Sequence, residues 1–201
     1  FLKSITTLFS FALFLASSIS GMLILQAHKF QFNGVTNSNL TRRYVMCLIC
    51  DRIQMIKENT NPWFVKELET GYVVIGDNQH FKGYTLFLCK EHKTELFQLN
   101  YATKMKFLEE MSIVAEAVAK AFGAEKMNYE VLGNGDAHLH WHLFPRNNGD
   151  IENYGNNGRG PVWWYPMDKM YSPDNRPSEH DLNAMKTKLA EETTKKHGFF
   201  R

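Results

Sequence analysis

The sequence predicts an α+β domain: a mostly antiparallel five-stranded sheet with one long helix packed on it and a C-terminal helical extension. Three observations predict it. Short β-prone runs punctuated by turn residues recur at 63–68, 72–75, 84–89 and 126–132. Between Tyr101 and Phe122 the apolar period changes to steps of three and four, the mark of an amphipathic helix. From Asp136 to Arg146 three histidines alternate with Leu139, Trp141 and Leu143, which reads as a strand with two unlike faces.

Length and composition bound the rest. The 201 residues suit one domain plus extensions, and the hydrophobic and charged fractions, 44% and 22%, are those of a globular chain. A formal net charge of +2 with scattered Lys and Arg gives no reason to expect a nucleic-acid partner. The three cysteines are an odd number, two of them in a C-x-x-C pair; this fits a reduced compartment, hence cytoplasm, better than a disulfide scaffold. Neither a P-loop nor a strand-linked G-x-G-x-x-G is present.

Residues 1–45 form an apolar leader, uncharged from Ser4 to Gln26 after Lys3. Three readings stand side by side: a signal peptide, a single membrane anchor, or upstream sequence foreign to the natural product, since Met46 directly precedes Cys47. A membrane partner is expected only if the leader is real. Asn39-Leu40-Thr41 is a glycosylation sequon that matters only in a secreted chain. Residues 46–146 form the main domain. They open with Cys47-Leu48-Ile49-Cys50-Asp51-Arg52, then a turn at Asn59-Thr60-Asn61-Pro62, and the strands 63–68 and 72–75 around Thr70-Gly71. A polar loop runs from Asp77 to Lys82. The strand 84–89 is nearly all apolar, hence buried on both faces, and Cys89 at its end reads as inert core. The helix 101–122 carries the stripe Leu108, Met111, Ala115, Val118 and Phe122, read as core, and stops at Gly123. Gly133-Asn134-Gly135-Asp136 reads as a tight hairpin turn. In residues 147–201 an exposed Asn/Gly loop precedes the aromatic island Pro161 to Pro166, which is expected to dock back on the domain. Ser178 with Asp181 then caps a C-terminal helix reaching about Lys196. His180 and His197 are read as solvated.

Histidine stacked every second residue gains nothing in packing. Neutral imidazoles can instead attack phosphorus, shuttle protons or bind metal. The plain alternative is a half-buried strand whose polar face is histidine-rich. A strand spaces alternate Cβ atoms by about 6.5–7 Å, so His138 and His142 would flank a phosphate held at His140. The turn glycines would let backbone amides approach it. No arginine clamp is evident. Cys47, Cys50, His92 and His138 make a donor set suited to tetrahedral zinc, against the alternative of two buried thiols and a surface His92.

His138-Leu139-His140-Trp141-His142-Leu143-Phe144 matches the pattern of the histidine triad (HIT) family. The Cys47/Cys50 start, His92 after the third strand and the long helix follow in that family's order. The stretch resembles bacterial diadenosine tetraphosphate hydrolase-like members. That resemblance implies a HIT-like fold, a homodimer, a nucleotide substrate, no organic cofactor, and hydrolysis of a dinucleoside polyphosphate or nucleoside phosphoramidate. His140 would form a nucleotidyl-histidine intermediate, assisted by His142 and His138. It also implies phosphate contacts at Asn134 and Gly135, where a plain hairpin turn predicts the same residues, and ribose contact at Asp77, where a turn-capping role is the alternative. A subset of the family uses its first triad histidine, here His138, as a structural zinc ligand. The short Asp136-Ala137 link departs from the family's longer loop. Rival readings are a nucleotidyltransferase or phosphorylase, a nucleotide-binding module without turnover, and a structural module that binds metal through the histidine strand.

Overall fold

The computed structural model describes residues 47–151 and 161–197. The leader 1–45, its sequon and most of the Asn/Gly loop lie outside them. Chain order is α1 (Leu48–Lys57), β1 (Phe64–Glu67), β2 (Gly71–Ile75), β3 (Thr85–Cys89), α2 (Tyr101–Phe122), β4 (Lys126–Glu130), β5 (His140–Arg146), a single turn α3 (Met167–Met170) and α4 (Glu179–His197). The five strands form one sheet in the order β1-β2-β3-β5-β4, every neighbouring pair antiparallel.

Alternation along the central strands gives the sheet two buried faces. Val73, Ile75, Phe87, Cys89, Leu139 and Leu143 point to one side, where α2 and α4 supply Phe107, Val114, Val118, Leu182, Met185 and Leu189. Tyr72, Val74 and Leu88 point to the other, where α1 lays down Ile49, Ile53 and Ile56. A third cluster, Phe81, Tyr84, Phe144, Val162 and Met170, fastens the aromatic island beside it. The island therefore docks as expected. No described helix is long and apolar enough to cross a membrane.

Helix α2 has the expected limits because both ends are capped. Asn100 accepts from Thr103 N at 2.9 Å, and Gly123 takes the left-handed conformation, φ 72°, that its missing side chain makes accessible. Its buried face differs from the expected stripe. Phe107, Glu110, Val114, Ala117 and Ala121 are buried with Ala115 and Val118, whereas Leu108, Met111 and Phe122 are only partly covered. Glu110 is the reason for the offset. Its carboxylate is fully buried and accepts from Glu69 N, Thr70 N (both 2.9 Å) and the Thr70 hydroxyl (2.5 Å), tying the β1–β2 turn to the helix. Ser178 caps α4 by accepting from Asp181 N at 3.1 Å, as the sequence predicts.

Three expectations need correction. The C-x-x-C segment was not read as helical, yet it opens α1, with Cys47 as N-cap. Residues 133–136 do not form a tight turn. Strand β4 ends at Glu130 and β5 begins at His140, so residues 131–139 form a nine-residue connection. His138 consequently lies outside the strand, and only His140 and His142 share its face.

Candidate active site

The two histidines of β5 share a cavity with Leu48, Ile49 and Arg52 of α1. Their ring hydrogens follow from their partners. His140 Nδ1 lies 2.5 Å from the carbonyl oxygen of His138, which can only accept, so Nδ1 carries the hydrogen and Nε2 keeps its lone pair. His140 Nε2 is 2.9 Å from His142 Nε2, which must therefore donate. His142 Nδ1 then accepts from the Tyr84 hydroxyl at 2.6 Å. The chain runs from Tyr84 through both imidazoles to a backbone carbonyl, every donor matched to an acceptor. A Cβ on Gly76 would run into the Tyr84 ring, so the glycine makes room for the first link. Trp163 of the aromatic island packs edge-on against His142, ring centres 5.3 Å apart.

Burial is the main reason both imidazoles stay neutral. It lowers the pKa of His140 below the ordinary histidine value, against the opposing pull of the His138 carbonyl. It brings His142 down to about 3, with the His140 charge as the second cause. Burial also pushes the Tyr84 phenol well above its usual range, so it remains a hydrogen-bond donor.

A cavity of about 300 Å³ opens on these rings. Its apolar wall is Leu48, Ile49, Val74, Leu86 and Leu88, and its polar groups are Arg52, Asp77, Asn78, Asp136, Tyr84 and Tyr171 with His140 and His142. Asp77 is in the cavity as the resemblance implies. Its carboxylate, however, is already gripped by Arg52, Nη1 to Oδ1 at 2.8 Å and Nη2 to Oδ2 at 2.5 Å. That arginine corrects the expectation of no arginine in the site. It was overlooked because its place on the cavity depends on the unanticipated helix α1. Asn134 and Gly135 are exposed and off the cavity wall, because the long 131–139 connection carries them outward. Open space surrounds Gly135, so nothing there requires a glycine. From that segment it is Asp136 that reaches the cavity, its Oδ1 accepting from Leu48 N at 3.3 Å.

The second cluster lies at the start of α1. Ligand atoms of Cys47, Cys50, His92 and His138 all fall within 4.8 Å of one another. Cys47 Sγ is 3.1 Å from Cys50 Sγ and 3.6 Å from Nδ1 of both His92 and His138; Cys50 Sγ is 3.1 and 3.4 Å from those nitrogens. Donors about 2.0–2.3 Å from a tetrahedral zinc would be spaced by about 3.3–3.8 Å; three of these distances fall in that range, and the two from Cys50 Sγ to Cys47 Sγ and to His92 Nδ1, at 3.1 Å, would open slightly around the ion. The His138 Nε2 hydrogen goes to the Cys89 carbonyl at 2.7 Å, which turns the Nδ1 lone pair toward the sulfurs. The Cys50 thiol is pushed up to about 11, first by burial and then by Cys47, so without a cation in the cluster it stays protonated. His138 was expected to flank a phosphate. Both its nitrogens are turned away from the cavity, and only its carbonyl reaches His140.

The HIT domain family model matches residues 59–149. No curated protein sequence matches the chain. Among solved structures, a histidine triad protein from Bradyrhizobium japonicum shares 19% identity and covers 65% of this chain and 89% of its own, with a TM-score of 0.55. One from Marinobacter aquaeolei shares 23%, with coverages of 66% and 89% and a TM-score of 0.55. A protein titled a hypothetical histidine triad nucleotide-binding protein, from Sulfolobus tokodaii, shares 16%, with 73%, 93% and 0.55. At these identities the likeness is one of fold. Together with the matched segment and the His138-to-His142 motif inside it, it shows that residues 59–149 carry a HIT domain.

Proposed function

We propose that the chain is a nucleotide hydrolase that cleaves at the α-phosphorus through a nucleotidyl intermediate on His140. The observation that carries the reading is the Nε2 lone pair of His140. It belongs to a neutral ring whose opposite nitrogen is fixed on a carbonyl, and it faces a cavity of nucleotide-fitting chemistry. In the first step that lone pair forms a P–N bond while the bond from phosphorus to the leaving group breaks, its electron pair going to the leaving group. In the second, water attacks phosphorus, the P–N bond returns its pair to Nε2, and the water's proton passes to solvent. The Nε2–H of His142 swings from His140 to a phosphoryl oxygen and steadies the charge that develops there.

The low pKa of His142 bears on the substrate class. A neutral imidazole is a good hydrogen-bond donor and a poor acid. A departing polyphosphate needs little protonation near neutral pH, whereas a departing amine needs a proton. On this reading a dinucleoside polyphosphate suits the site better than a phosphoramidate. The apolar wall would take the base. Cys47, Cys50, His92 and His138 would hold a structural zinc ion, whose contribution is to pin the start of α1 and the segment leading into β5.

The test compares diadenosine tetraphosphate with adenosine phosphoramidate on wild type and on His140→Ala. Nucleotide release by the wild type that falls to background in the variant supports the nucleophile. Equal binding to both proteins with no release from either substrate would replace the hydrolase with a binding module.

A further inference from the structure

The cavity holds a cation that neither the histidine chain nor the cysteine cluster uses. Arg52 is the only lysine or arginine among the described residues lining it. A guanidinium carries five N–H donors in a rigid fork. Asp77 occupies two of them, one from each terminal nitrogen, and leaves the rest for a ligand. The pair is three-quarters covered, with side-chain exposures of 22% and 23%, so the fork is held in place rather than sweeping through solvent. It also lies within electrostatic reach of Tyr84, the partner of His142, and of Asp136. A carboxylate used up by a guanidinium is a poorer acceptor for a sugar diol than a free one. The acid at this place is thus better suited to holding Arg52 than to reading a ribose.

We propose that Arg52 binds a second phosphate group of the substrate, remote from the phosphorus that His140 attacks, and that Asp77 positions the guanidinium for it. The inference rests on the nucleotide reading of this cavity. An arginine fork suits phosphate oxygens, which it meets bidentately. Two sources share that chemistry: a polyphosphate chain running on from the α-phosphorus, and a phosphate on the ribose.

The experiment is a binding titration on the metal-loaded His140→Ala protein, which consumes nothing. The ligands are adenosine monophosphate, adenosine triphosphate and adenosine 3′,5′-bisphosphate. At least one of the two multiply phosphorylated ligands binds about tenfold or more tightly than the monophosphate. Preference for the triphosphate assigns the chain, and preference for the bisphosphate assigns the ribose phosphate. Adding Arg52→Leu erases the preference, and adding Asp77→Asn weakens it by releasing the guanidinium from its fixed position. Should Arg52→Leu fold poorly with Asp77 left unpaired, Arg52→Leu with Asp77→Asn removes both charges and must erase the preference as well. Equal affinity for all three ligands, or a preference that survives loss of Arg52, overturns the proposal. A preference that depends on Arg52 in a chain whose wild type releases no nucleotide would leave this inference standing and remove hydrolysis alone.

Discussion

The Tyr84 hydroxyl and the His138 carbonyl fix a hydrogen at each end of the imidazole pair, and the chemistry of His140 depends on both ends. Tyr84→Phe removes one hydrogen bond without changing the ring that packs on Phe144, centres 4.2 Å apart. The expected loss in kcat is about fivefold, in line with about 1 kcal/mol for one such bond. His142→Ala removes the donor to the phosphoryl oxygen and should cost about 10²–10³-fold in kcat. Because burial holds both histidines below the ordinary value, the acid limb of kcat/KM should lie below pH 6.5 and the rate should be flat above it. A limb centred above 6.5 would contradict neutral, buried imidazoles. The two paired histidines and the cysteine pair were legible as residues, since few other patterns place those side chains at that spacing. Tyr84 was not. In an apolar run a tyrosine reads as core, and its hydroxyl partner is 58 positions away. Arg52 and Asp136 were hidden for the same reason, because cavity walls are assembled from segments far apart in the chain.

Among the elements, α1 and α2 differ most from expectation. The ten residues of α1 carry Ile49, Ile53 and Ile56 at steps of four and three, a periodicity too short to stand out beside the metal-binding pattern that overlaps it. In α2 the boundaries were legible from the change of period near Tyr101 and from Gly123, but the buried stripe was rotated. Burying a glutamate violates the usual preference and becomes intelligible only once the Glu69–Thr70 turn is seen to supply its donors. Glu110→Ala should therefore destabilise by about 1–3 kcal/mol or more, measured by denaturant unfolding, because it strands those amides. A variant as stable as wild type would mean the turn finds other acceptors. The expectation that failed most plainly, a strand running from residue 136, failed because alternation continues through His138 in sequence. The chain at that residue bends toward the cysteines instead.

For the whole molecule, a sheet covered on both faces by helices explains how a modest domain buries a histidine pair. It also sets a linkage between pH and stability. The unfolded chain protonates His142 below about pH 6.5, whereas the folded chain does not until about 3. Stability is thus unaffected above 6.5 and falls as pH drops through that window, by an amount on the order of a few kcal/mol for this group. Thermal melts from pH 7 to 4 on wild type and His142→Gln would show it, with the variant losing less. Removing metal with a chelator should lower Tm, and Cys50→Ser should abolish both the bound zinc and the chelator's effect. A homodimer is proposed from the family resemblance, and sedimentation of the full chain would test it.

His138 joins the two halves of the site: its ring belongs to the cysteine cluster, while its carbonyl accepts the Nδ1 hydrogen of His140. Cobalt loaded into that cluster would place a coloured ion on a ligand two residues from His140. Its visible absorption would then serve as an optical gauge, shifting when a nucleotide settles against His140 and returning when the product departs.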